Sequence, residues 1–260
     1  MKTIKLLSMM LLLVATCIPF TSCSKDDDNE KEQGPKYNDI TIIAGSTYTI
    51  ENGSNWTSEE PLIAEVSGNV ITAKIVGQTT IRNDKYSFTV TITPRYNLYK
   101  DPYLVWGASM SSVKSYMNGF TLAANNSESL MYDGKGGAEF YMYLFENNKL
   151  TSSAVLVDAE TYNERLTEFL FERYIFVNAD DEEFIATFIN VEKNMAVCVQ
   201  YTIINGSIFA MVMYFPVSLD EAKTRSSFNS KFDKLKDKFK LETTKGNPEI
   251  KDFIELFKQN

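Results

Sequence analysis

The chain has 260 residues and is acidic, with 34 Asp and Glu against 26 Lys and Arg. This balance argues against nucleic acid and anionic lipid headgroups as partners, because phosphate binding depends on clustered Lys and Arg. The chain contains no histidine, which excludes His-based catalytic triads, most zinc sites and imidazole acid/base catalysis. We therefore expect no cofactor and no metal, and the length suggests one or two folded domains.

The N-terminal residues predict an export signal. Lys2 and Lys5 precede an apolar run over residues 6–15. This run is too short to cross a bilayer comfortably as a permanent helix, since crossing needs about 20 apolar residues. The small residues Thr21 and Ser22 then lead into Cys23.

The ending Thr21-Ser22-Cys23 resembles the lipobox of bacterial lipoproteins, in which the signal peptide is cut and the new N-terminal cysteine is acylated. Phe20 departs from that pattern, which most often has Leu there. Cys17 is the rival site, but the threonine before it fits the pattern less well than a serine does. The resemblance implies a signal peptide over residues 1–22 and lipid on Cys23, and more than one acyl chain makes a stable membrane anchor.

Residues 23–36 predict an acidic, flexible tether. No large apolar residue occurs from Asp26 to Pro35, so this stretch cannot bury enough surface to offset the entropy lost on ordering. The block after Cys23 resembles the export signal that sends lipoproteins of Bacteroidota to the outer surface of the outer membrane. Its residues are Lys25, Asp26, Asp27 and Asp28. The alternative is a plain solvated linker, and one segment can serve both purposes.

Residues 37–94 predict short β-strands. Stretches such as 46–50 and 86–92 are rich in β-branched residues, and turn residues such as Asn52-Gly53 and Ser67-Gly68-Asn69 separate the strands. This spacing is typical of a small sandwich. Trp56 is expected to fill the core, the alternative being a platform for a ligand.

The order of motifs in this segment resembles the bacterial Ig-like group 2 family. The motifs that carry the resemblance are Trp56–Glu59, Ile63–Ser67, Val70–Ala73, Gly77–Ile81 and Phe88–Ile92. Gly68 matches a glycine usual in the family, whereas the loop between Ile81 and Tyr86 is short for it. The resemblance implies an Ig-like module that acts as a spacer or adhesive unit on a bacterial surface.

Residues 95–260 predict an α+β domain with helices packed on an antiparallel sheet. Ser109 can cap a first helix, and a second helix is predicted to open at Thr161, where Glu164 completes a capping box. Strands are predicted at 130–132, 138–145, 150–157, 183–191, 195–204 and 207–215, the last two joined by the hairpin signal Asn205-Gly206. The order helix, strands, helix, strands suggests a tandem repeat.

Two apolar stripes near the C-terminus predict helices. Their residues are Phe228, Phe232, Leu235 and Phe239 in the first, and Ile250, Phe253, Ile254 and Phe257 after Pro248 in the second. We expect both stripes to pack on the sheet. The alternative is an amphipathic helix that binds a partner or a membrane surface.

The pattern of a helix start at Trp106–Ser109 followed by a hairpin over Tyr141–Leu150 resembles small exported α+β modules, namely β-lactamase inhibitor protein-like domains and outer-membrane assembly lipoproteins. This resemblance implies a binding module and transfers no active site. Alternation along the hairpin strand places Tyr141, Tyr143 and Phe145 on one face. If helices cover only the other face, these residues form a candidate binding face. The alternative is that the tail helices bury this face as well.

Other candidates for chemistry are few. Cys198 lies in an apolar run and is expected to be a small buried hydrophobe. The acids of Asp180–Glu183 could bind Ca²⁺ or supply a glycosidase pair, but adjacent acids more often form a solvated loop. The glycines of Asp133–Gly137 lack the spacing of a phosphate-binding loop and predict a turn between strands.

These features favour a non-enzymatic lipoprotein, anchored by lipid in the outer membrane and exposed on the cell surface. An Ig-like spacer would then hold a binding or adhesion module for an unknown glycan or protein ligand. The alternatives are a carboxylate-based hydrolase of the glycosidase kind, which needs no histidine, and a fimbrial subunit.

Overall fold

β-Strands are the main secondary structure, and they lie in several antiparallel sheets. The computed structural model describes residues 37–180, 184–217, 233 and 248–259. These residues belong to one unit that begins at Tyr37. Within it we distinguish the sandwich unit (residues 37–94) and the sheet unit (the described residues from 95 onward).

The sandwich unit contains seven strands in two sheets. They are β1 (Ile40–Ile43), β2 (Thr47–Thr49), β3 (Thr57–Ser58), β4 (Ala64–Ser67), β5 (Val70–Ala73), β6 (Gly77–Arg82) and β7 (Ser87–Thr93). The four-stranded sheet has the order β1-β7-β6-β3 and the three-stranded sheet the order β2-β5-β4. β1 runs parallel to β7, and the other pairs are antiparallel.

The two sheets of the sandwich unit share one apolar core. Phe88, Val90 and Ile92 alternate inward from β7 and belong to the same buried cluster as Ile71 of the other sheet. Trp56 is only 5% exposed, and its ring meets that of Phe88 edge to face with centroids 5.6 Å apart. The prediction that Trp56 fills the core is confirmed.

The sheet unit is built on an eight-stranded sheet. Its elements are α1 (Met110–Tyr116), β8 (Leu122–Asn125), β9 (Ser129–Asp133), β10 (Ala138–Glu146), β11 (Lys149–Asp158), α2 (Ala159–Phe171), β12 (Ile175–Asp180), β13 (Ile185–Ile189), β14 (Met195–Ile204), β15 (Ser207–Pro216) and α3 (Pro248–Glu255). The strand order is β12-β13-β14-β15-β11-β10-β9-β8. A helix followed by four strands therefore occurs twice, and the two groups meet where β15 pairs with β11.

Local signals explain most of these boundaries. Ser109 caps α1 as predicted, its hydroxyl accepting from Ser112 N at 3.3 Å. The second helix, however, begins at Ala159, because Asp158 is the cap and accepts from the backbone N of Thr161 at 3.2 Å. The capping box predicted at Thr161 is therefore wrong. Asn205-Gly206 joins β14 and β15 with both residues in the left-handed region, as the predicted hairpin requires.

Two edge strands of the sheet unit were not predicted from the sequence, and neither was the two-residue edge strand β3 of the sandwich unit. β8 has the sequence Leu-Ala-Ala-Asn with every residue exposed, and β12 ends in Asn-Ala-Asp. Neither shows the alternation of a half-buried strand, because an edge strand pairs along one side only. Each pairing is also interrupted by an irregularity, between Leu122 and Ala124 in β8 and between Phe176 and Asn178 in β12.

α3 packs on the sheet as predicted. Ile250, Ile254 and Phe257 are fully buried in the cluster that holds Phe188 and Tyr201 of the sheet. The stripe predicted for the first tail helix, from Phe228 to Phe239, lies outside the described residues. Within the described part of the chain, no helix is both long and apolar enough to cross a bilayer.

Candidate functional site

The residues predicted for anchoring and sorting lie outside the described part of the chain. They are Cys23, Lys25, Asp26, Asp27 and Asp28. Of the acidic run Asp180–Glu183, the structure describes only Asp180, the last residue of β12. Asp133–Gly137 links β9 to β10 as the predicted turn. A Cβ at Gly137 would collide with the side chain of Leu98, so a larger residue there would require that side chain to shift.

The predicted binding face on β10 is wrong. Tyr141 and Tyr143 are 0% exposed and Phe145 is 3% exposed, so these residues belong to the core and not to the surface. Their neighbours in the cluster include Val113 of α1, Met117 directly after this helix, and Leu98 before it. The face contacts the segment that enters the sheet unit, since Tyr141 Oη donates to Lys100 O and Tyr103 N donates to Tyr143 Oη. This cover was not predicted from the sequence.

We name this covering segment the strap (residues 95–108). Its backbone is bonded to side chains of the sheet at successive points. Tyr141 Oη donates to Lys100 O at 2.9 Å, and Ser153 Oγ donates to Tyr103 O at 2.6 Å. Backbone bonds add to these contacts, from Gly107 N to Leu150 O and from Leu150 N to Ala108 O. Side-chain hydroxyls of the sheet thus donate to backbone carbonyls of the strap where it crosses the sheet.

Three further tyrosines form a buried hydroxyl cluster. The hydroxyls of Tyr99 and Tyr214 lie 2.8 Å apart, and the ring of Tyr174 lies beside that of Tyr214, with centroids 6.2 Å apart. Burial raises the pKa of each of these phenols above its ordinary value of 10.0. The cluster links the strap, the segment after α2 and β15. Its phenols therefore remain protonated at neutral pH and act as donors within the core.

Asp101 is the acid that faces this cluster. Its negative charge raises the pKa of Tyr99, Tyr174 and Tyr214 as a secondary effect. Loss of hydration raises the pKa of the Asp101 carboxyl above its ordinary value of 3.8, and the charge of Arg173 opposes that shift. Asp101 is still partly exposed to solvent. A carboxyl with a raised pKa can serve as a general acid, but glycoside hydrolysis also needs a second carboxyl group across the scissile bond.

The most elaborate polar arrangement lies at the end of α2, where Glu172 and Arg173 are about nine-tenths buried. The Glu172 carboxylate accepts from the backbone N of Arg95 and from that of Tyr96, both at 3.0 Å. It also accepts from Arg173 Nη1 at 2.6 Å. Arg173 Nη2 donates in turn to Tyr96 O at 2.8 Å, and its guanidinium lies 3.7 Å from the centroid of the Phe169 ring. We name this set of contacts the clamp.

The polar groups of the clamp bond to one another, so few of them are available for a reaction. Both carboxylate oxygens of Glu172 already accept hydrogen bonds, Oε2 from Arg95 N and Oε1 from Tyr96 N and Arg173 Nη1. Among the described residues, no three His, Cys, Asp or Glu side chains are grouped so that they could hold a metal ion. Cys198 is 1% exposed, and burial raises the pKa of its thiol to about 12. It is the buried hydrophobe that the sequence predicted, since a nucleophilic cysteine needs a lowered pKa.

The surface near the end of α1 carries two lysines beside aromatic rings. Lys100 Nζ lies 3.8 Å from the centroid of the Tyr116 ring and donates to Tyr116 O at 3.1 Å. Lys135 Nζ lies 4.7 Å from the centroid of the Phe120 ring and donates to Gly119 O. Both ammonium groups bind carbonyls at the end of a helix, where its dipole favours positive charge. These contacts indicate that the two lysines stabilise the end of the helix.

Four features of this region were not predicted from the sequence, namely Glu172, Arg173, Asp101 and the strap. The strap could have been found from its composition, because residues 96–106 hold three tyrosines, a tryptophan, two leucines and a valine, which is more apolar surface than a solvated loop carries. The Glu172-Arg173 pair gives no comparable signal. Adjacent opposite charges after a helix usually remain in solvent.

Comparison of the chain with family models, curated proteins and solved structures finds no match.

Proposed function

We propose that this chain is a non-enzymatic lipoprotein of the bacterial outer membrane, anchored through acylated Cys23 and exposed on the cell surface. An Ig-like spacer formed by residues 37–94 carries an α+β module that starts at residue 95. That module binds a glycan or protein ligand or contributes to adhesion. A fimbrial subunit would be a special case of the same arrangement.

Several observations support this proposal. The sandwich unit has seven strands in sheets of four and three around a buried tryptophan, which agrees with an Ig-like sandwich. The sheet unit repeats a helix followed by four strands, in agreement with the resemblance to exported binding modules. The acidic residues after Cys23 agree with a surface-sorting signal.

The observation that carries the proposal is the clamp, which holds the start of the sheet unit at its junction with the sandwich unit. A spacer is useful only if it is joined firmly to what it displays, and here Glu172 of the sheet unit bonds the backbone of the residues that leave the sandwich unit. The absence of histidine from the sequence, which excludes His-based catalytic triads, favours a binding module over a hydrolase.

The anchor is tested with the Cys23→Ala variant in a bacterium that acylates lipoproteins. We expect loss of metabolic palmitate labelling and a shift of the protein from the membrane to the soluble fraction. Cys17→Ala is the matched control and should leave labelling unchanged. Equal labelling of the Cys23→Ala variant would reject the anchor at this residue.

Surface display is tested separately by replacing Asp26, Asp27 and Asp28 with alanine. The variant should stay in the membrane fraction but become protected from protease added to intact cells. Replacing the acids of the later tether, Glu30 and Glu32, is the control for a simple change of charge. If the triple variant is digested as fast as the parent, Lys25–Asp28 is a plain linker and the sorting role is rejected.

A further inference from the structure

Two folded units in one chain usually move relative to each other, because interfaces within a chain are small and polar and linkers are flexible. The connection between the sandwich unit and the sheet unit has no such linker. β7 ends at Thr93, and the backbone N atoms of Arg95 and Tyr96 already bond to Glu172. Only Pro94 lies between the last strand residue and the first clamped residue, and proline fixes its own φ angle.

The clamp also meets the sandwich unit away from the connection. Val76, in the loop before β6, donates its backbone N to Glu172 O at 2.7 Å. Arg95 Nη2 donates to Ala44 O at 2.9 Å, which bonds the connecting segment to the end of β1. Val191, from the loop between β13 and β14, packs against the core cluster of the sandwich unit. The contacts therefore come from three separate places in the sequence.

From this geometry we infer that the clamp locks the sandwich unit and the sheet unit into one rigid body. The α+β module is then held in one orientation with respect to the spacer. This inference concerns only residues 37–217 and does not depend on the anchor, on the sorting signal or on the nature of a ligand.

The chemistry of the clamp explains why it would act as a lock. A buried carboxylate must keep its donors, since a buried charge without partners is strongly disfavoured. Bending of the chain after Tyr96 would pull the N–H groups of Arg95 and Tyr96 away from Glu172, so the buried carboxylate would keep Arg173 as its only donor. The loss of these donors therefore disfavours arrangements other than the observed one.

The test measures the distance between the two units by double electron–electron resonance. Spin labels are placed at Asp84→Cys in the sandwich unit and at Lys114→Cys on α1, both exposed positions. The background is the full chain with Cys17→Ser and Cys23→Ser, in which the remaining Cys198 is 1% exposed and should not react. We expect one narrow distance peak for this parent.

The clamp variants are Glu172→Gln and Arg173→Met, and each should turn the narrow peak into a broad distribution. Lys74→Met, which removes an exposed ion pair with Glu65 inside the sandwich unit, is the matched control and should keep the narrow peak. If a clamp variant fails to fold, Arg95→Met removes only the exposed side-chain bond to Ala44 and should give a smaller broadening. A broad distribution for the parent would overturn the inference, and so would narrow peaks in folded clamp variants.

Discussion

The buried cores of the two units differ in their chemistry. The core of the sandwich unit consists of aliphatic side chains and a few aromatic rings, and Thr79 is its only buried polar residue. The sheet unit buries many tyrosines together with polar residues. These polar residues are Ser129, Ser152, Ser153, Asn163, Thr167, Glu172 and Thr202.

This difference shows how each unit depends on its surroundings. Apolar packing has no direction and changes little with pH. Buried hydroxyl and carboxylate groups stabilise only when each keeps its partner, so the sheet unit is specified by a network and is sensitive to the loss of single members. Because Trp56 lies in the sandwich unit and Trp106 in the strap of the sheet unit, the fluorescence of single-tryptophan variants can follow the two separately.

The largest effect is expected when the aromatic face of β10 is removed. The double variant Tyr141→Ser, Tyr143→Ser deletes two fully buried rings, and large-to-small changes of this kind cost about 3 to 5 kcal/mol each. The free energy of unfolding, measured with urea, should fall by most of its total. Tyr48→Ser is the control, since Tyr48 of β2 is 38% exposed. If the double variant is as stable as this control, Tyr141 and Tyr143 lie on the surface and the predicted binding face is supported again.

The next effect concerns alkaline pH. Burial raises the pKa of Tyr141 from 10.0 to about 12, and it raises the pKa values of Tyr143, Tyr201 and Tyr214 as well. A phenol whose pKa is raised in the folded state stabilises the fold at pH values below its pKa in the unfolded chain. That contribution is lost as the pH rises, so the free energy of unfolding should fall between pH 10 and about pH 12. A tenfold change in proton affinity corresponds to about 1.4 kcal/mol.

Single-tryptophan variants give the measurement for this alkaline transition. The signal of Trp106 should change in the same pH range as phenolate absorbance appears, whereas that of Trp56 should change later or more gradually if the sandwich unit keeps its core. Simultaneous changes of both signals would mean that the clamp couples the two cores into one cooperative unit. Phenolate absorbance below pH 10 from all tyrosines, with both tryptophans unchanged, would contradict the burial of the hydroxyls.

The same contrast explains what could be predicted from the sequence. The strands of the sandwich unit, apart from the two-residue β3, were predicted because short alternating runs and turn residues such as Gly68 determine a local structure. In the sheet unit, the alternation of β10 correctly separated Tyr141 and Tyr143 from Met142, but alternation alone does not reveal which element covers a face. The strap, distant from β10 in sequence, decides that question, and single-sequence patterns contain little information on long-range contacts.

The clamp shows a second limit of prediction. Glu172 and Arg173 are charged, and charged residues after a helix are normally solvated. Their burial depends on the backbone N–H groups of Arg95 and Tyr96. Such backbone groups occur in every sequence and therefore give no specific signal. A polar network of this kind is visible only once the fold has brought its donors and acceptors together.

A smaller effect is expected in the hydroxyl cluster of the sheet unit. Tyr99→Phe or Tyr214→Phe alone leaves one buried hydroxyl without its 2.8 Å partner and should lower the free energy of unfolding by about 1 to 3 kcal/mol. The double variant should lose less than the sum of the single losses, because it removes both ends of the bond. Strict additivity in this double-mutant cycle would show that the two hydroxyls do not stabilise each other.

The smallest effect is expected at Asp101, and it has the opposite sign. Loss of hydration raises the pKa of this carboxyl above 3.8, so its ionised form is disfavoured in the folded state and stability falls as pH rises through the raised pKa. Asp101→Asn removes the ionisation and should be slightly more stable than the parent at neutral pH. Because the residue is partly exposed, solvent screening keeps this gain small.

The pH dependence separates this explanation from a simple change in packing. Below the ordinary value of 3.8 the parent carboxyl is protonated in both states, so the advantage of Asp101→Asn should disappear there. Arg173 lowers the pKa of Asp101, so in an Arg173→Met background the gain at neutral pH should increase. Urea unfolding at neutral and acidic pH measures both quantities. A gain that is equal at every pH would assign the effect to packing and leave the raised pKa without a role in stability.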